Sequence, residues 1–119
     1  MQIEKNKALD SINTFGLSAT SKSFVSVKTL EELQEVILSK ETQNNPVFIL
    51  GGGSNILLTH DVEGLTIKID IKGIEIIDQT DSHVIVQVGA GENWHEFVLY
   101  ALEQGWGGIE NLSLIPGTV

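Results

Sequence analysis

Pro46-Val47-Phe48-Ile49-Leu50-Gly51-Gly52-Gly53-Ser54-Asn55 decides how this chain is read. An apolar run of strand length ends in three glycines and a Ser-Asn pair. The backbone there turns where no side chain obstructs it, and several N–H groups are left without partners. Such a turn binds anions, phosphate first among them, and a nucleotide or dinucleotide cofactor is the usual bearer of phosphate. Three glycines can also mark nothing more than a tight turn, so the rest of the chain has to separate the two readings.

The chain has 119 residues, 41% of them hydrophobic, which suits one domain with a core of its own. Seven lysines and no arginine stand against 16 acidic residues, for a net charge of -9. That balance disfavours non-specific attraction to nucleic acid or anionic lipid, so no nucleic-acid and no membrane partner is expected. Without a guanidinium to clamp it, any phosphate has to be held mainly by backbone amides. Cysteine is absent, which excludes disulfides, thiolate catalysis and Cys-based metal centres. Met1-Gln2-Ile3-Glu4-Lys5 has no signal-peptide pattern and no apolar run reaches spanning length, so the expected localisation is cytoplasmic.

Outward from the glycine turn, the spacing predicts an α+β domain. After a loose polar start through about Ser11, Phe24-Val25-Ser26-Val27 reads as a strand. Thr29-Leu30-Glu31-Glu32 has the form of a capping box opening a helix, with Leu30, Leu33 and Ile37 on one face. The run Val47 to Leu50 then reads as a strand buried on both faces, parallel to the first through a βαβ crossover. Leu65 to Asp70 alternates as a half-buried strand. With Ile74-Glu75-Ile76-Ile77 and Val84 to Val88 it is expected to form an antiparallel meander. Asn93 and Glu96 open a second helix, with Trp94, Phe97, Val98, Ala101 and Leu102 as its apolar stripe and Gly105 as its stop. Trp106 to Val119 reads as a buried, glycine-rich loop. This order is α+β with one parallel unit, not the alternation of a doubly wound domain.

The familiar phosphate loops do not fit. A Walker loop needs Gly-Lys-Ser/Thr, and Gly53-Ser54-Asn55 has no lysine. The dinucleotide fingerprint needs a further glycine where Ile56 stands and a helix after it, and Ile56-Leu57-Leu58-Thr59-His60-Asp61 has neither the length nor the period of one. A strand-to-strand glycine loop that cradles a pyrophosphate remains.

Four motifs occur in order: Asn13-Thr14-Phe15-Gly16; Ile49 through Leu57; Gly89-Ala90-Gly91-Glu92-Asn93-Trp94; and Gly108 through Val119. In these the chain resembles the UDP-N-acetylenolpyruvoylglucosamine reductase family, bacterial flavoenzymes with an FAD-binding domain of the vanillyl-alcohol-oxidase type. The resemblance implies FAD as cofactor, NADPH as co-substrate and a UDP-sugar enolpyruvyl ether as substrate, reduced to UDP-N-acetylmuramate for peptidoglycan synthesis. It implies that Leu50, Gly51, Gly52, Gly53, Ser54 and Asn55 hold the FAD pyrophosphate, and that Ile115, Pro116, Gly117 and Thr118 belong to a second loop lining the flavin. Residues 1–119 then correspond to the N-terminal portion of the FAD-binding domain. The family's arginine, glutamate and serine lie downstream, so no catalytic residue is assigned, and these residues alone are expected to hold FAD weakly or not at all. A side chain at Gly53 is expected to obstruct the approach of the pyrophosphate. A stand-alone nucleotide-binding or interaction module without redox activity is the alternative.

The remaining candidates carry less. His95 with Glu92 and Glu96 could be drawn as a metal site, but helical neighbours at those spacings converge poorly and a solvent-facing capped turn is expected. His60 and His83 are expected in exposed turns. Ser54, His95 and Asp61 lack a nucleophile-elbow sequence. Trp94 and Phe97 suit a helix core, whereas Trp106, between Gly105 and Gly107, suits either packing or shielding of a flavin. Asn55 is the polar side chain best placed for function, able to donate and accept beside the loop amides.

Overall fold

The computed structural model describes residues 1–119. Its larger sheet contains β1 (Glu4–Ala8), β2 (Thr20–Val27), β3 (Val47–Leu50) and β4 (Val62–Ile69), in the order β1-β2-β4-β3. β1 is antiparallel to β2, and β4 is parallel to both β2 and β3. Two helices, α1 (Leu30–Leu38) and α2 (Lys40–Asn44), connect β2 to β3. β5 (Ile74–Gln79) and β6 (Val84–Val88) form a separate antiparallel hairpin, followed by α3 (Trp94–Glu103). The fold is α+β, as the element order predicts.

Its details depart from the sequence reading in ways that have physical causes. The βαβ crossover is present, but β4 lies between its two strands. β3 is therefore an edge strand, with Val47 and Ile49 42% and 55% exposed rather than buried on both faces. β4 takes the buried centre instead: Gly64, Leu65, Thr66 and Ile67 are all covered, so the alternation that suggested a half-buried strand is overridden by its central position. Thr66 tolerates this because Ser21 Oγ lies 2.6 Å from its hydroxyl. Only β5 and β6 of the expected meander pair antiparallel, since β4 belongs to the parallel sheet. The polar N-terminus is ordered as β1, where Lys5 Nζ donates to Ser23 Oγ at 2.9 Å and to Glu41 Oε1 at 2.5 Å. A lysine-rich strand suits a sheet edge.

The two faces of the larger sheet carry different covers. Val25, Val27, Leu65 and Ile67 pack with Val36 of α1 on one face. Phe24 and Leu50 pack with Leu9 on the other, flanked by Ile12, Ile56 and Leu58. The loop after β1 thus does on one face what a helix does on the other.

The helix caps follow the sequence closely. Thr29 Oγ1 accepts from Glu32 N at 3.2 Å, while Glu32 Oε2 accepts from Lys28 N at 2.7 Å, one residue earlier than a standard capping box places it. The buried face of α1 is centred on Val36, not on Leu30 and Ile37, which are 57% and 51% exposed. In α3, Asn93 Oδ1 accepts from Glu96 N at 3.0 Å, and Val98 and Ala101 point inward. Gly105 has a φ of +77, its N–H donates to Leu102 O at 3.0 Å, and Trp106 N donates to Ala101 O at 2.9 Å. These two bonds are the Schellman closure. The segment Trp106 to Val119 is mostly exposed rather than buried, Leu114 by 76%.

Val36 is fully buried, so Val36→Ala in the complete protein is expected to lower unfolding free energy by about 2 kcal/mol. Ile37→Ala should cost under about 1 kcal/mol. Urea denaturation compares the two, and equal losses would mean that the helix packs through its other face.

Candidate phosphate-binding site

Leu50, 2% exposed and packed with Leu9 and Phe24, fixes where β3 ends and the glycine turn begins. The turn follows the carboxyl end of a parallel strand, where open α/β sheets place their ligands. At Gly53 φ is +71, and a Cβ there would lie 2.3 Å from Ile12 O and 2.9 Å from Asn13 Cα. Thr14 N donates to Gly53 O at 3.0 Å. Gly53 is therefore a glycine because the backbone of Ile12 and Asn13 occupies the space a side chain would fill. The expectation that it clears a path for phosphate is corrected accordingly.

At Gly51 and Gly52 the missing side chain makes room for the second glycine-bearing segment. A Cβ on Gly51 would sit 3.0 Å from Thr118 Oγ1, and one on Gly52 would sit 3.5 Å from Gly117 Cα and from Ser54 Oγ. The two segments that the resemblance assigns to one cofactor are thus neighbours in space. The amides of Gly51, Gly52, Gly53, Ser54 and Asn55, and those of Gly117 and Thr118, donate to no acceptor within the chain. Of the other expected residues, Ile115 and Pro116 are exposed and lie outside these glycine contacts. Asn55 is exposed with its carboxamide unengaged.

The second segment is held by the start of α3. Trp94 N donates to Gly117 O and Val119 N to Glu92 O, both at 3.0 Å, bracketing a bridge between Asn93 and Thr118. Trp94 Nε1 donates to Leu112 O at 2.7 Å, and His95 Nδ1 accepts from Leu114 N at 3.0 Å. His95 is thus a tether for the second loop, a role the sequence reading missed; no local signal pairs His95 with a backbone amide 19 residues away. Trp106 packs edge-on against Tyr100, with ring centroids 5.7 Å apart. Asp61 accepts from Thr20 N at 2.8 Å, and with His95 engaged by Leu114 no Ser-His-Asp relay is formed. No group of three His, Asp or Glu side chains is arranged to hold a metal ion.

The lysine nearest the turn in strand register is already paired. Lys68 stands beside Leu50 in the strand register, but its ammonium is paired with Asp70, which also accepts from Ser26 Oγ at 2.6 Å. Burial pushes the Asp70 carboxyl up, and the hydrogen bonds from Lys68 and Ser26 outweigh it, holding the group below the usual carboxylate range. A concavity of about 570 Å³ lies elsewhere, between the β5–β6 hairpin and α3, and includes no residue of the glycine turn.

A glycine turn with unengaged amides at the carboxyl end of a parallel strand is an arrangement that suits a nucleotide-binding domain. Residues 21–119 match the family model described as "FAD binding domain", and the chain belongs to that family; the cofactor of its fold is FAD. It is 50% identical over 119 residues to the UDP-N-acetylenolpyruvoylglucosamine reductase of Flavobacterium johnsoniae, covering all of this chain and 35% of that protein. The reductases of the same name from Amoebophilus asiaticus and Neisseria gonorrhoeae are 45% and 47% identical, over 100% and 90% of this chain and 35% and 31% of theirs. The crystal structure of the UDP-N-acetylenolpyruvylglucosamine reductase from Thermus caldophilus superposes with a TM-score of 0.69 at 26% identity, over all of this chain and 40% of that one. The chain thus spans about 35% of the length of the first two of these curated relatives.

Two measurements test this geometry. Gly53→Ala combines a backbone collision with a positive φ, so it should destabilise the complete protein by about 2–4 kcal/mol, against about 1 kcal/mol or less for Gly52→Ala. Equal losses in thermal unfolding would contradict the packing of Gly53 on Ile12. The depressed folded-state pKa of Asp70 means that its stabilisation is fully present above the unfolded carboxyl value of about 3.9 and is lost as pH falls through the folded value. Asp70→Asn should cost about 1–2 kcal/mol at pH 7. It should also flatten the decline of stability below about pH 4, and an unchanged acid limb would exclude this role.

Proposed function

We propose that this chain is a portion of the FAD-binding domain of a cytoplasmic NADPH-dependent reductase that converts UDP-N-acetylenolpyruvoylglucosamine to UDP-N-acetylmuramate for peptidoglycan synthesis. The observation that carries the reading is the meeting of two glycine-bearing segments, Gly51–Asn55 and Gly117–Thr118, each with unpaired amides. The identities with reductases of that name support it.

The residues present fit the cofactor. A pyrophosphate needs several donors converging on one volume with no side chain in the way, and a glycine turn supplies them without a guanidinium. In this reading Gly51, Gly52, Ser54 and Asn55 supply N–H groups on one side and Gly117 and Thr118 on the other, with Leu50 and Gly53 fixing the frame of the turn. The hydroxyls of Ser54 and Thr118 add donors that rotate to suit the anion. When bound, FAD supplies the hydride chemistry between NADPH and the enolpyruvyl ether. The chain's own part is to bind and orient it.

The complete protein should purify with flavin absorbance and oxidise NADPH only when UDP-N-acetylenolpyruvoylglucosamine is present. Gly52→Val fills the space between the two segments and should lower FAD affinity about a hundredfold or more, about 2.7 kcal/mol, with little change in the melting temperature of the apoprotein. Undiminished flavin content in that variant would place the phosphate site elsewhere.

A further inference from the structure

We infer that Asn13 is a positioning residue for the phosphate turn. This rests on the reading of Gly51–Asn55 as the pyrophosphate cradle. Asn13 is 7% exposed and its carboxamide makes three hydrogen bonds: Nδ2 donates to Leu9 O at 2.7 Å and to Leu17 O at 3.1 Å, and Oδ1 accepts from Leu17 N at 3.0 Å. One side chain thereby closes the loop between β1 and β2 on itself. That loop presents three things to the glycine turn: the Ile12 carbonyl and the Asn13 Cα against which Gly53 packs, and the Thr14 N–H that bonds the Gly53 carbonyl.

The consequence is directional. In a trans peptide the carbonyl and the following N–H point to opposite sides of the chain. Fixing the Gly53 carbonyl on Thr14 therefore aims the Ser54 N–H away from the loop, and that amide has no acceptor within the chain. The left-handed conformation of Gly53, at φ +71, brings neighbouring amides toward a common side in the manner of an anion nest. Without the latch, the Gly53–Ser54 peptide loses what selects its orientation, and binding then has to order it. Asn13 acts at a distance, touching the loop and not the ligand.

The test uses apoprotein of the complete chain titrated with FAD by flavin fluorescence. Asn13→Ala, and Asn13→Asp, which sets a carboxylate against two carbonyl oxygens, should each weaken FAD about tenfold. Both should shift the ³¹P resonances of the bound pyrophosphate while the flavin absorption bands stay in place. Loss of general stability alone would lower the melting temperature without moving those resonances. Should the Asn13 variants not fold, Thr14→Pro removes the N–H that meets the Gly53 carbonyl and leaves Asn13 intact. Asn13, at φ -131 and ψ 142, already has the extended backbone a residue before proline requires. Unchanged FAD affinity and ³¹P shifts in the folded variants, with Gly52→Val defective, would overturn the role of Asn13 and leave the cradle standing. Normal FAD binding by Gly52→Val would remove the cradle itself, and with it the basis for a positioning residue.

Discussion

The backbone contact between Gly53 and Ile12–Asn13 is the constraint on which the arrangement turns. Its Cβ position is 2.3 Å from a carbonyl oxygen, closer than any side chain permits, so two segments forty residues apart in sequence lie main chain against main chain. That approach lets the loop after β1 cover the sheet face bearing Phe24 and Leu50, and it settles where the turn after β3 goes. A second approach of this kind opens the pairing of β3 with β4, where a Cβ on Gly64 would stand 2.0 Å from Pro46 O and Leu65 N donates to that same oxygen at 2.8 Å. Both ends of β3, the strand that carries the turn, are thus fixed by a neighbour that only glycine can accept.

Local signals were legible in the sequence, and long-range ones were not. Thr29, Asn93 and Gly105 were read correctly because a cap depends on residues within one helical turn. The burial of β3 was misread because an apolar run has the same appearance at a sheet edge as at its centre, and β4 was misread because its position between two parallel neighbours comes from the far side of the chain. A meander was expected because successive strands usually pair with one another. β4 instead accepts β2 and β3 on either side, both from earlier in sequence. The polar N-terminus looked unstructured for a related reason: Lys5 finds its partners, Ser23 and Glu41, only after the sheet has formed. The glycine turn itself was legible as a turn after a strand, with amides that find no acceptor within the chain. The identity of its neighbours was not, apart from the pairing with Gly117 and Thr118 that the family resemblance implied.

An acidic chain can hold an anion because the relevant field is local. At physiological ionic strength charges are screened over about 8 Å, so a net charge of -9 spread over the surface weighs less at the turn than a few oriented amides a hydrogen bond away. The nearest lysine in register, Lys68, is already committed to Asp70, and no arginine competes. Recognition by backbone is also insensitive to side-chain identity outside the glycines, so an acidic composition that disfavours non-specific attraction to nucleic acid leaves a phosphorylated cofactor open.

The site is assembled from three separated stretches: the loop closed by Asn13, the turn after Leu50, and the segment that α3 carries through Trp94 and His95. None of the three is ordered by its own sequence alone. The first requires Leu9 buried against Phe24, the second requires Gly53 seated on the first, and the third requires the N-terminus of α3 to pair with Gly117 and Val119. Folding therefore has to close long loops before the amides of the turn are aligned, and the entropy of that closure is met by the core. On the proposed reading of the turn as a pyrophosphate cradle, such preparation spares binding the cost of ordering it, and a substitution at Asn13, which touches no ligand, would act through the geometry it maintains.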